Sequence, residues 1–600
     1  MKRRKLLRTF AMLPLLAGGF AAFAPLRAAK PVANWKPRVR PRDPAWPSAS
    51  EWHALNQAVG GNLIQPHALF AACASEPDGA ACAQAQKSIR NPYYLGDEPA
   101  GTEVSGWLDA WTPSPSAYAV AARNAGDVVA AVNFARSKNL RLVVKGGGHS
   151  YLGTSNAADS LQISTRAMNK VTLHDAFVGA GCARDSAPVA AVTAEAGAVW
   201  MDLYQAVTTE AGRYVQGGGC TTVGVAGLVQ SGGFGSFSKG FGTAAGGLLE
   251  AEIVTADGRV RVANACTNPD LYWAIKGGGG GSFGCVTKLT LRTHPLPEFF
   301  GAAWGKIQAR SDAAFRALIV RFLSFYSEAL FNPHWGEQVS VGPGNTLEIS
   351  MVCQGLDMQQ TQQTWRPFFD WVAASGQDLS VLDALGARAT PARAWWDVAG
   401  NPSMFRDERD GASKTHGWWR GDQDQVGAFI HGYDSLWLPV SLLRETERFA
   451  DALFASSRHK KVQLHFNKGI GGAAPEAAAA TGNTATNPAV LDAFALVIIA
   501  DGERPSYPDL PRPAMDLPAA RRDAHEIDVA AAQLRVLVPN AGSYVSESNY
   551  FNASWQQAYW GTNYGKLRAA KAKYDPTGLF FVYHGVGSEE WSADGFTRVS

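Results

Sequence analysis

The sequence predicts an α+β chain in two parts, closed by a segment that packs back onto the first. Three observations carry this. Between residues 124 and 294, apolar residues switch repeatedly between helical and strand period. Beyond Pro295 the glycines thin out, tryptophans become prominent, and helical runs mix with alternating runs. From Tyr544 to Pro576 the chain is dense in aromatic residues. A length of 600 residues exceeds one ordinary core, so two or more domains are expected. The reading divides the chain into a processing segment (1–29), an arm with a short helical cap (30–107), a first domain (108–295), a second (296–540) and a closing segment (541–600).

The elements follow in order. Lys2-Arg3-Arg4-Lys5 and the apolar run from Phe10 to Ala24 form a signal peptide, with a cleavage site near Ala28-Ala29. The adjacent arginines fit twin-arginine export of a folded protein to the periplasm or beyond. The apolar run is short for a membrane span, so no anchor is expected after cleavage. Pro37, Pro41, Pro44 and Pro47 argue against regular structure in the arm. Cys73 and Cys82 sit in a stretch that reads as a loop and are the best disulfide candidates. Asn124 to Asn139 is a helix, Leu140 to Val144 a strand, and Leu161 to Ser164 and Val192 to Ala196 are further strands. Met201 to Glu210 is helical. Leu249 to Val262 is a hairpin turning at Asp257-Gly258. Asn268 to Lys276 is a short helix and Cys285 to His294 a strand. In the second part, Ala313 to Ala329 is helical. Val339 to Cys353, Val462 to Asn467 and Phe494 to Ala500 alternate as strands, and Gly471 to Asn487 reads as a surface loop.

Composition bounds the function. The formal net charge is +3, with 46% hydrophobic and 18% charged residues. That is a globular composition without the basic stripe of a nucleic-acid binder. No Cys/His spacing reads as a metal site. The 62 glycines cluster locally, and two clusters each carry one nucleophile. The first is Lys145-Gly146-Gly147-Gly148-His149-Ser150-Tyr151-Leu152-Gly153. The second runs from Gly217-Gly218-Gly219-Cys220 through Val223, Gly224 and Gly227 to Gly232-Gly233-Phe234-Gly235. Glycine loops bring backbone N–H groups up to an anion. Together they point to a large phosphate-bearing cofactor held along its length. Seven cysteines is an odd count, and attachment of Cys220 would use the one left over.

The first cluster, followed by Ser155, Leu161, Ile163 and Met168-Asn169, resembles the FAD domain of the vanillyl-alcohol-oxidase and p-cresol-methylhydroxylase (PCMH) flavoproteins. The second cluster is similar to the berberine-bridge-enzyme-like branch, as are Trp560-Gly-Thr-Asn563-Tyr564 and Lys573-Tyr-Asp-Pro576. The resemblance covers residues 108–295 and 541–588. It implies a two-part PCMH-type FAD domain, a central α+β substrate domain and a C-terminal segment completing the FAD site. It implies FAD held twice, by His149 at the flavin 8α-methyl and by Cys220 at C6. The cofactor would contact Gly146 to Tyr151, Gly153, Cys220, Val223, Gly224, Gly227, Gly232, Gly233, Gly235 and Asn563. Electropositive backbone around Cys220 is expected to favour its thiolate.

The resemblance also implies hydride transfer from a small-molecule alcohol or sugar to flavin N5, with O2 as the final acceptor. Two departures stand out. Leu228 replaces a frequent His, and Gly218 leaves room at a position tied to oxygen access, which favours an oxidase. For the base, Tyr544 comes first, then Glu547, then His465; Tyr544 needs its pKa lowered to serve. Alternatives are a dehydrogenase passing electrons to a quinone or protein, and a carbohydrate-binding protein that keeps the fold without turnover. Trp395-Trp396, Trp418-Trp419 and Trp437 either stack on sugars or fill the core and domain interface.

Overall fold

The computed structural model describes residues 35–183 and 186–600. The predicted signal peptide, with its arginine pair, lies outside the described residues. The first part holds two sheets. In one, Tyr118–Ala121, Ser160–Ser164 and Arg141–Lys145 pair in parallel, with Leu63–Ile64 antiparallel at the edge. Ser160–Ser164 is buried throughout, as a central parallel strand covered on both faces should be. The helix Ala125–Ser137 lies across it. Asn124 caps that helix by accepting the Asp127 amide at 3.1 Å, and Val128, Ala131, Val132 and Ala135 face the core. Full burial of each valine contributes about 1.5–3 kcal/mol.

The other sheet is antiparallel, in the order Val171–Phe177, Val189–Glu195, Cys285–Pro295, Leu248–Val254, Val260–Asn264, with Arg213–Val215 also on Cys285–Pro295. Val254 and Cys285 join the helix core, which ties the two sheets together.

The second part is a seven-stranded antiparallel sheet. Its order is Leu379–Pro391, Phe299–Ala309, Thr346–Gln354, Trp335–Gly342, Val462–His465, Ala493–Glu503, Phe429–Pro439. The helices Asp312–Phe325, Met358–Ala374, Thr446–Ser457 and Leu517–Arg535 share one core with it. Strand alternation decides what faces where. Val497 and Ile499 point into the helix core, whereas Leu496 and Ile498 join a cluster with Tyr433, Trp437 and Tyr544 toward the first part.

The closing segment returns to the start. Phe580 bridges Leu142 in parallel. The Trp560 indole donates to the Gly277 carbonyl at 2.9 Å. Buried Lys571 donates to the Ser282 and Phe580 carbonyls and pairs with Asp575, each at 2.6 Å.

Several local expectations are corrected. Val339 to Cys353 is two strands, Trp335–Gly342 and Thr346–Gln354, turning where Asn345 takes φ +59°. Gly471 to Asn487 is not a surface loop. It contains the helix Pro475–Gly482, and Thr484, Ala485, Thr486 and Asn487 are buried. Cys73 and Cys82 lie on the helices Ala71–Ser75 and Ala80–Ser88, not in a loop, and are joined by a disulfide as expected. A second disulfide joins Cys182 to Cys266, a pairing the sequence left open.

Candidate active site

Arg141–Lys145 ends at Gly146, and the chain turns under the second glycine segment. A Cβ on Gly147 would lie 3.0 Å from the Gly224 amide nitrogen, with the Thr222 carbonyl at 3.3 Å. Only glycine allows two backbones to meet so closely. The amides of residues 147–152 donate no hydrogen bond to another described backbone group. They line a cavity of about 270 Å³. Unpaired amides are costly unless a ligand or solvent satisfies them, and a row of them suits a phosphate. Residues 279–282 and 580–585 form the far wall, so the closing segment completes the cleft.

The two nucleophiles converge on one hydroxyl. His149 Nε2 lies 3.2 Å from Thr222 Oγ1, and the Cys220 sulfur lies 3.5 Å from that same oxygen. Burial lowers His149 to about 4, so its ring is neutral and nucleophilic at ordinary pH. Cys220 behaves otherwise than expected. Burial, then the carboxyls of Asp422 and Glu103, push its thiol well up. The thiolate is therefore disfavoured, chiefly because the sulfur is buried and secondarily because two acidic side chains stand near it. Asp422 is itself raised to about 6, mainly by burial. Glu103 is raised by burial to about 8, and its Oε2 stands 3.6 Å from His149 Nε2. No motif flagged Glu103 or Asp422, and Thr222, though inside the second glycine segment, was given no role there.

Two of the three candidate bases line the same cleft. Tyr544 and Glu547 both line it, as does Lys468, whose ammonium holds both Glu547 oxygens at 2.7 and 2.6 Å. Tyr544 packs edge-on to Phe234 with ring centroids 5.1 Å apart. Burial, then the Glu547 charge, push its hydroxyl up. That is opposite to the shift a tyrosine base needs, so Tyr544 stays a hydrogen-bond donor. His465 ends the strand Val462–His465 and does not line the cleft. Neither of its ring nitrogens has a partner, and burial depresses its pKa.

Of the predicted cofactor residues, Gly146 to Tyr151, Val223, Gly224 and Gly227 line the cleft. Cys220 stands behind it, at the Thr222 hydroxyl. Gly153, Gly232, Gly233 and Gly235 shape the loops without lining it. Asn563 donates instead to the Thr486 carbonyl at 2.9 Å. The space at Gly218 is taken: a Cβ there would meet Leu228 Cδ1 at 3.1 Å and Trp200 Cδ1 at 3.3 Å. The paired tryptophans are mostly core. Trp396, Trp418 and Trp437 are buried, and Trp419 donates to the Gly219 carbonyl at 3.1 Å.

The family profile described as FAD binding domain matches residues 115–264, and the one described as berberine and berberine like matches residues 530–587. The chain thus carries an FAD binding domain and a berberine-like segment, and its relatives are VAO-type and berberine-bridge-enzyme-like flavoproteins. It is similar to the VAO-type flavoprotein oxidase VAO615 of Thermothelomyces thermophilus, 28% identical over 94% of this chain and 95% of that protein. The crystal structure of the VAO-type flavoprotein MtVAO615 of Myceliophthora thermophila superposes with a TM-score of 0.75. It is 25% identical and covers 93% of this chain and 99% of that one. The glucooligosaccharide oxidase of Acremonium strictum, described with a 6-S-cysteinyl, 8α-N1-histidyl FAD, shares the fold at TM-score 0.60 and 20% identity. That match covers 86% of this chain and 99% of the other. This flavoprotein is thus an FAD-linked oxidoreductase with an α+β, PCMH-type fold. No helix among its described residues is long and apolar enough to cross a membrane.

Proposed function

We propose that the chain is an exported FAD-dependent oxidase that carries its flavin on two covalent bonds, from His149 to the 8α-methyl and from Cys220 to C6. The substrate is an alcohol, either a carbohydrate or a secondary metabolite. The observation that carries the reading is the meeting of His149 and Cys220 at the Thr222 hydroxyl, beside a cleft floored by unpaired amides. His149 Nδ1 has no hydrogen-bond partner among the described residues, which leaves it free to form the N1-type link seen in the glucooligosaccharide oxidase.

FAD held by these residues would supply the hydride acceptor for the substrate carbon, with O2 as the final oxidant and H2O2 as its product. The protein's share is orientation and proton handling. The amides of residues 147–152 hold the phosphates. Glu547, steadied by Lys468, takes the hydroxyl proton as the C–H bond breaks. Tyr544 donates a hydrogen bond to the substrate oxygen and fixes its direction. Export rests on the basic and apolar N-terminus, and the two disulfides fit an oxidising compartment.

One observation favours a second reading, a dehydrogenase using a quinone or protein acceptor. Leu228 and Trp200 fill the space beside Gly218 that the oxidase reading wanted open. Peptide mass mapping of the purified chain tests the tethers. Flavin is expected on peptides containing His149 and Cys220, and His149→Ala retains partial attachment through Cys220. Folded wild-type protein without flavin on either peptide would overturn the reading. Peroxide release over a sugar and alcohol panel then separates oxidase from dehydrogenase.

A further inference from the structure

Glu103 lies upstream of the matched FAD binding domain, which begins at residue 115, yet its carboxyl stands directly behind His149, a lining residue of the cleft. Its backbone is clamped from both sides. The Glu103 amide donates to the Gly148 carbonyl at 3.0 Å, and its own carbonyl accepts the Gly427 amide at 2.7 Å. That clamp sets Glu103 across from the residue after Gly148, which is His149. The Glu103 side chain is 7% exposed, and Oε2 has no hydrogen-bond partner. An acidic side chain in that position is expensive unless it has a task. Its nearest basic group is His149 Nε2, 3.6 Å away. That exceeds a hydrogen bond, but catalytic contacts are often long before the ligand is loaded.

We propose that Glu103, as its carboxylate, is a positioning residue for flavin attachment: it holds His149 in the tautomer protonated on Nε2 and removes that proton as Nδ1 forms its bond. The inference rests on the covalent attachment proposed above. The balance is complete. A C–N bond from Nδ1 replaces one C–H bond of the ring methyl, and the electron pair of that C–H reduces the ring. Dioxygen takes up the pair with two protons and leaves as H2O2. Those protons are the one from the methyl and the one from Nε2, the second passing through Glu103. With its proton on Nε2, the imidazole presents the Nδ1 lone pair to the cleft. Thr222 Oγ1 is the other group at Nε2, and a hydroxyl cannot take the proton away at neutral pH.

The charged and titratable groups around Glu103 are His149, Cys220, Asp422, Tyr151 and Tyr507, with Lys145 acting on His149. A pH profile must therefore be read as a difference between variants.

The test uses the full chain with Cys220→Ala, so that His149 is the sole tether. Flavin-free protein is mixed with FAD, and covalent incorporation at the His149 peptide is followed by mass between pH 6 and 9. Glu103→Gln keeps the shape and an acceptor oxygen but cannot take a proton. It is expected to slow incorporation about 100-fold and to flatten its rise with pH. Glu103→Asp is expected to recover part of the rate with the rise intact. Melting curves of both variants show whether the fold is kept. Glu103→Gln incorporating flavin at the parent rate and with the parent pH profile would overturn the inference alone. If the parent protein gains no flavin at His149, the attachment reading falls with it.

Discussion

His149 and the Glu103 carboxyl 3.6 Å from it make a measurable prediction about stability. Glu103 titrates near 8 in the folded chain against an ordinary 4.5. Between those values the folded chain keeps a proton that the unfolded chain has released, so stability falls as pH rises. His149 works the other way. Its folded value is about 4 against 6.5, so the unfolded chain binds the extra proton and stability rises from pH 4 to 6.5. The opposing slopes cancel over most of that range. From pH 6.5 to 8 the Glu103 contribution stands alone, and at 1.36 kcal/mol per pH unit it amounts to about 2 kcal/mol. Lys145 and Lys239, both lowered to about 7 by burial, add a rise above pH 7. They do so in wild type and variant alike and drop out of the difference. Glu103→Gln should therefore gain about 2 kcal/mol on wild type across this interval, about 1–2 °C for a chain of this length. Thermal and urea unfolding of flavin-free protein, at half-unit steps from pH 6 to 8.5, reads it. Parallel wild-type and variant curves would show that Glu103 is ionised in the fold and that its burial argument is wrong.

Three further outcomes follow from the geometry. Glu547→Gln is expected to lower kcat/KM about 10²–10⁴-fold with flavin content unchanged, and Tyr544→Phe about tenfold; steady-state kinetics in which Tyr544→Phe is the worse variant would reverse their roles. Replacing Cys182 and Cys266 by Ser should cost about 4–5 kcal/mol, against about 3 for the Cys73–Cys82 pair. The 84-residue separation constrains the unfolded chain more than the 9-residue one, and equal losses in denaturant unfolding would contradict this. Gly147→Ala forces a methyl against the Gly224 nitrogen. It should cost about 1–3 kcal/mol and most of the bound flavin, read as the ratio of flavin to protein absorbance.

Much of this was legible in the sequence, for identifiable reasons. The hairpin at Asp257-Gly258 and the helix begun by Asn124 were readable because turn and cap chemistry is local. The two glycine segments were readable because close backbone approach admits one residue type. What escaped depends on distant partners. Glu103 sits in an unremarkable Thr-Glu-Val-Ser stretch, and only the Gly148 and Gly427 contacts bring it to His149. Lys468 acquires meaning only beside Glu547, 79 positions away. The Cys220 thiolate expectation failed for the same reason: its burial is a product of the whole fold, and the acidic residues that add to it come from positions 103 and 422. The segment from Gly471 to Asn487 misled because small polar residues suit a solvent loop and a tight internal passage equally well.

The cleft takes one wall from the first glycine segment, residues 146–152, and the other from residues 580–585, more than four hundred positions later. A ribosome must therefore reach residue 585 before there is anywhere for a dinucleotide to sit. Loading is a late event in the life of each molecule, coming after the central seven-stranded layer has been made. Any trimming of the last two dozen residues would leave a protein with its glycine loops intact and one side of the groove open to solvent.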